Sequence, residues 1–193
     1  MACRPSRSPM AKADGPDRIV LRATAPAKIN LYLHVVGRRA DGHHLLDSLV
    51  AFAGVGDIVE VVASDALGLT IDGPFGAVLE AQDGDNLVLR AARRLAAAGD
   101  VPAHAAIFLD KRLPVAAGLG GGSSDAAAAL KLLARLWRLD IGADDLARLG
   151  LELGADAPVC LAGHACFVGG IGDALAHAPA LPSADILLVN PGV

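Results

Sequence analysis

The sequence predicts an α+β fold, and three observations carry that prediction. Short runs rich in Val, Ile and Leu with period-2 alternation mark strands, whereas longer segments repeat their apolar residues at helical spacing. The two kinds follow one another without the regular β-α alternation of a doubly wound sheet, which favours a mixed sheet packed with helices. Hydrophobic residues make up 53% of the 193 positions and charged residues 20%, the balance of a chain that buries a core.

The elements follow in order. Residues 18–23 and 27–36 read as strands, and in the second, AKINLYLHVV, strict alternation puts Lys28, Asn30, Tyr32 and His34 on one face. Ile29, Leu31, Leu33 and Val35 take the other. GRRADGHH is a turn with Asp41-Gly42 at its tip, and strands follow at 45–53, 57–63 and 67–71. Residues 86–98 are helical, with Leu87, Ala91, Leu95 and Ala98 on one side and Arg90, Arg93, Arg94 and Ala97 on the other. A strand at 103–111 leads into a glycine-rich loop, and a helix continues from that loop to about Leu139. Its inward stripe is Ala126, Ala129, Leu130, Leu133, Leu136 and Trp137, with Lys131, Arg135 and Arg138 outward. Residues 143–153 form a third helix, with Asp144 and Asp145 in the first turn where the helix dipole favours them. Strands return at 164–168 and 186–189; Ile186, Leu187, Leu188 and Val189 form a continuous apolar run, as expected of a strand buried on both faces.

Several function classes are disfavoured by composition. A net charge of −4 without a long basic run argues against a nucleic-acid surface. No apolar run reaches the ~20 residues of a membrane span, so a soluble protein is expected. Residues 1–17, MACRPSRSPMAKADGPD, lack the apolar stretch of a secretory signal and read as a disordered tail before a domain spanning 18–180. Cys3, Cys160 and Cys166 have no metal-ligand spacing and leave one unpaired in any disulfide scheme, which suits reduced thiols in a cytoplasm. Of seventeen basic residues only Lys12, Lys28, Lys111 and Lys131 are lysines, so arginine is the default cation and each lysine stands out.

The most informative stretch is PVAAGLGGGSSDAAAAL, residues 114–130. A helix N-terminus carries unpaired N–H groups and a partial positive charge, and glycines before it let those amides approach an anion closely. Ser123 and Ser124 add hydroxyls suited to a phosphate oxygen or a Mg²⁺ ion. A capped glycine connector is the bland alternative, but three adjacent glycines, a fourth at Gly118 and Ser-Ser at the helix start favour phosphate. No lysine follows as a Walker A loop requires, and Ser123 stands where a dinucleotide fingerprint needs glycine.

This stretch resembles the ATP-binding motif of the GHMP kinases. APAKINLYLHVVGRRADGHH, DNLVLRAARRL, DKRLP, LGADAPVCLAGHACF and VNPGV resemble segments of the same family in the same order, so the likeness covers about Ala25 to Val193. The triple glycine and the DGHH segment are similar to the branch acting on cytidine-diphosphate-linked methylerythritol in non-mevalonate isoprenoid synthesis. Homoserine and mevalonate kinases, the alternative, typically carry a shorter GLGSS loop. A nucleotide-binding module without chemistry is a further alternative, against which the presence of both Lys28 and Asp156 speaks.

The resemblance implies a role for each matching position. Pro114, Val115, Ala116, Ala117, Gly118, Leu119, Gly120, Gly121, Gly122, Ser123 and Ser124 would wrap the phosphates of ATP. Asn86, Leu87 and Lys111 would surround the adenine. Asp156, which on residue type alone is as readily an N-cap as a base, would take the hydroxyl proton. Lys28, in a strand position usually open to solvent, would be its partner and balance the transferring phosphate. Asn30, His43 and His44 would contact the acceptor, with His43 in place of the usual tyrosine and so stacking over less area. Mg²⁺ would accompany ATP through phosphate oxygens with Ser124 nearby. A second domain is also implied, begun by residues 181–193; residues 1–193 alone would lack one wall of the catalytic cleft and would not sustain turnover.

Overall fold

One long strand organises the molecule. The computed structural model describes residues 19–80 and 86–190; the proposed tail at 1–17 lies outside them. Strand β1 (Leu21–Arg38) pairs antiparallel with β2 (His44–Val62) along the whole length of both. Gly42, at φ +94°, closes the hairpin at the Asp-Gly step that the sequence marks. On its other flank β2 is shared. Its start pairs with β5 (Cys166–Gly170) through Leu46–Val50, and its end pairs with β4 (Ala106–Asp110) through Ile58–Val62. Beyond these lie β3 (Gly68–Asp72), parallel to β4, and β6 (Ala174–His177), antiparallel to β5. The six-stranded sheet therefore runs β3-β4-β2-β5-β6, with β1 against β2.

The helices are α1 (Gly76–Glu80), α2 (Leu87–Ala98), α3 (Gly121–Leu136), α4 (Ala143–Leu153) and α5 (Ala157–Ala162). Helix α3 runs through the centre. Ala126, Ala127, Ala128, Ala129 and Leu130 are all buried, as are Leu132, Leu133 and Ala134. Alanine suits this course because its small side chain lets neighbouring backbones approach, and it is the best helix former. One side of α3 joins a core with Val59, Val61, Leu95 and Ile107; Ala127 joins a second core with Val50, Val159 and Val168.

Several expectations are corrected. The strands expected at 18–23 and 27–36 are one strand, because β1 pairs only with β2 and an edge strand tolerates Pro26 beside a bulge. Those at 45–53 and 57–63 are likewise one. Helix α2 buries Val88, Ala91, Ala92, Leu95 and Ala96, with Ala98 exposed. Leu136 and Trp137 are only half-buried, since α3 is enclosed nearly all round upstream of them. Residues 186–189 form no strand: Ile186, Leu187 and Val189 are exposed, and the segment pairs with no described strand. Helix α1 and strand β6 were not foreseen, and α5 stands where the N-cap reading of Asp156 would put a helix.

The strict alternation in β1 also fails, with consequences for the site. Asn30 pairs with Val50, but Tyr32 pairs with Leu49, so Leu31 is an extra residue in a bulge. Lys28 and Asn30 therefore share the helix-covered face with Phe52 and Val50. Tyr32 and His34 turn to the other face with Leu49 and Asp47. Ser48 stabilises the bulge: its Oγ accepts from Asn30 Nδ2 at 2.7 Å and donates to the Tyr32 carbonyl at 2.6 Å.

Candidate active site at the glycine loop

The loop between β4 and α3 is shaped by its backbone. Gly118 and Gly120 have φ of +72° and +60°, and Ala116 shares that left-handed region at +57°. At Gly120 glycine is favoured twice over, because a Cβ there would also lie only 3.0 Å from Lys28 Cβ. The loop is fastened to β1 by the Lys28 amide, which donates to the Leu119 carbonyl at 2.8 Å. Its amides and the open N-terminus of α3 border a cleft of about 650 Å³ that extends from Pro114 to Ser123. Leu69, Ile71, Leu79 and Leu87 supply an apolar wall suited to a flat ring.

Asn86 and Leu87 both line this cleft, and Asn86 also caps α2 by accepting from the Val88 amide at 2.8 Å. Lys111 reaches the cleft floor but is no surface lysine. It is 2% exposed, and its ammonium donates to Asp57 Oδ2 at 2.5 Å and Asp125 Oδ2 at 2.8 Å. Asp57 Oδ1 accepts from the Arg112 and Leu113 amides. Asp125 is 1% exposed, and its Oδ1 has no hydrogen-bond partner. Burial pushes its carboxyl up to about 8, outweighing the attraction of Lys111, and the neighbouring Asp57 charge acts in the same upward direction. Neither aspartate was singled out in the sequence; Asp125, an acid directly after Ser-Ser in an alanine-rich helix, was the available signal.

On the other side of the loop, Lys28 Nζ stands 3.0 Å from Asp156 Oδ1. Lys28 is 5% exposed, its stem covered by Gly120, whereas the Asp156 side chain is 47% exposed. Asp156 occupies the N-cap position of α5, yet its side chain makes no capping bond. It is therefore free to pair with Lys28 and face solvent. Asn30 lies two residues along from Lys28 on the same face, half-buried and bonded to Ser48. His43 and His44 are not drawn to the cleft: both are exposed at the far end of the hairpin, where His43 Nδ1 lies 3.2 Å from Asp41 Oδ1.

Ser124 does not line the cleft. Its hydroxyl is buried, donates to the Pro26 carbonyl at 2.8 Å and lies 3.3 Å from Cys160 Sγ. Burial pushes that thiol up to about 11, so Cys160 is a packing group there. Of the serine pair, Ser123 is the one that borders the cleft. Among the described residues no group of three or more His, Cys, Asp or Glu side chains could hold a metal ion.

A long parallel-and-antiparallel sheet, a glycine loop opening a buried helix, and a lysine–aspartate pair beside it form a recognisable combination. The family profile described as GHMP kinases N terminal domain matches residues 86–164, and the chain has the fold of that domain, a mixed sheet packed with helices. Within that class it is similar to the 4-diphosphocytidyl-2-C-methyl-D-erythritol kinases. The protein of that name from Paramagnetospirillum magneticum is 57% identical over 167 residues, which is 86% of this chain and 58% of that protein. Its counterpart from Ruegeria pomeroyi is 57% identical over 175 residues, 91% of this chain and 60% of that protein. A crystal structure of 4-(cytidine 5'-diphospho)-2C-methyl-D-erythritol kinase superposes with a TM-score of 0.68 at 40% identity, covering 84% of this chain and 56% of that one. A D-glycero-D-manno-heptose 1-phosphate kinase from Bacteriodes thetaiotaomicron shares the fold at 17% identity and a TM-score of 0.64, over 86% of this chain and 61% of that one. The chain thus spans somewhat more than half the length of the relatives it matches.

Proposed function

We propose that the whole protein is an ATP-dependent kinase that phosphorylates the 2-hydroxyl of 4-diphosphocytidyl-2-C-methyl-D-erythritol in non-mevalonate isoprenoid synthesis. The observation that carries the reading is the pairing of Lys28 with an Asp156 that caps nothing, directly beside the glycine loop. Its substrate assignment draws on the relatives, whose names specify that alcohol.

In this reading the loop amides and the α3 N-terminus hold the triphosphate, and the apolar wall at Leu69, Ile71 and Leu87 takes the adenine. Asp156 accepts the proton of the acceptor hydroxyl as the hydroxyl oxygen attacks the γ-phosphorus and the bond from that phosphorus to the bridging oxygen breaks, releasing ADP. Lys28 offsets charge gathering on the transferring phosphoryl group and orients Asp156. Asn30 lines the acceptor pocket, and His43 and His44 serve the cytidine end. Mg²⁺ would neutralise phosphate charge through the phosphate oxygens of ATP. Residues 18–180 form the ATP-binding domain, with 181–193 leading into a second domain, and the enzyme works in the cytoplasm on small molecules without nucleic acid or membrane. Among the described residues no helix is long and apolar enough to cross a membrane.

The test is an ATP-consumption assay of the full chain with the cytidylyl alcohol, mevalonate and homoserine in parallel. Turnover with the cytidylyl alcohol alone is expected. Turnover with either other alcohol, or none with any, contradicts the assignment.

A further inference from the structure

Asp57 takes no part in the chemistry proposed above, yet it is 0% exposed and lies at the foot of the loop. Between the two stretches of β2 that pair with β5 and β4, residues 51–57 have no strand partner on that flank among the described residues. Pairing resumes at Ile58 with Asp110, and just beyond Asp110 the chain leaves the sheet. There Asp57 replaces the ladder: its Oδ1 accepts from the Arg112 amide at 2.5 Å and the Leu113 amide at 2.8 Å. These bonds fix the backbone immediately before Pro114, where the loop begins.

The loop's other end is held by the same group. Asp57 Oδ2 accepts from Lys111 Nζ at 2.5 Å, and that ammonium reaches Asp125 Oδ2, just past the first turn of α3, at 2.8 Å. It also lies so close under Gly121 that a Cβ there would meet it at 3.0 Å. Both ends of a glycine-rich loop are thus fastened to one buried carboxylate. A free loop of this composition would sample many end-to-end spans, whereas amides stabilise an anion best when their spacing is fixed beforehand.

We infer that Asp57 is a positioning residue for the nucleotide: through Arg112, Leu113 and Lys111 it sets the span of the loop and hence its capacity to bind a polyphosphate. The inference rests on reading the loop as a nucleotide site. Asp57→Asn in the full chain turns an amide N–H₂ toward Lys111, severing the ammonium's tie to β2 while leaving an oxygen for the two backbone bonds. Calorimetry should show ATP affinity falling about tenfold or more, with the affinity for the cytidylyl alcohol in the absence of nucleotide kept within about twofold. The KM for ATP should rise by a larger factor than kcat falls. A lowered thermal midpoint with both affinities unchanged at temperatures well below it would mean a structural role only and would overturn the inference. Should the variant not fold, the native chain decides. Saturating ADP should slow amide exchange at Arg112 and Leu113, because nucleotide binds only the fastened loop; unchanged exchange at both would overturn the inference. A native chain that binds no nucleotide overturns the site reading and this inference together. Native binding that Asp57→Asn leaves intact overturns this inference alone.

Discussion

Two residues show how local surroundings decide what an aspartate does. Asp156 stands at a helix start with its side chain making no capping bond, whereas Asp125 is buried beside a lysine that satisfies only one of its two oxygens. Asp125 holds its proton up to about 8 in the folded chain, against 3.8 for the ordinary side chain. The unfolded state thus gives up that proton first. Its contribution to stability is complete below about pH 4, declines as pH rises and is gone above about pH 8. Asp125→Asn cannot ionise and removes this slope. The variant's thermal midpoint should therefore gain on the native chain's from about pH 5 to pH 8 and level off beyond. A difference independent of pH would contradict the assignment. Gly121→Val presses on the same cluster, since its Cβ would meet Lys111 Nζ at 3.0 Å. It should lower nucleotide affinity and the thermal midpoint together, and calorimetry beside a melting curve would show whether the two losses coincide.

At the scale of elements, the sequence made the three longer helices easiest to read. The residues of α4 match the expected span, because acids in its first turn and glycines on either side mark both ends. The glycine loop was legible for the same reason: few other arrangements need so many small residues before a helix. Alternation in β1 was misleading because a bulge at Leu31 is set by pairing with β2, which no local pattern in β1 reveals. The run at 186–189 was misread because an apolar run specifies burial but not the partner that supplies it. Asp57 and Asp125 went unnoticed since their meaning lies in contacts with Lys111 across the chain. Helix α3, by contrast, follows from its alanines and leucines, and its burial can be tested directly. Leu133 is fully buried in the main core, so Leu133→Ala should cost about 2–5 kcal/mol in urea unfolding. A loss under about 1 kcal/mol would mean that the helix is less enclosed than described.

For the whole molecule, the arrangement separates two jobs on either side of one loop. Under the proposed function the cleft lined by Leu69, Ile71, Leu87 and the loop amides takes the nucleotide, while Lys28 and Asp156 stand on the face where the acceptor approaches. Under the proposed function residues 1–193 should turn over far more slowly than a chain extended to the length of the relatives, because a second wall is needed to exclude water. Assay of both at equal concentration checks this, and equal rates would contradict it. The central claim, that Asp156 acts on the transferring group and not on the fold, is tested most directly by Asp156→Asn in the full chain. The account predicts a fall in kcat of about 10³-fold with ATP affinity and thermal midpoint nearly unchanged, since the side chain caps nothing. Near-native turnover, or a loss of turnover that merely follows a loss of stability, would contradict it.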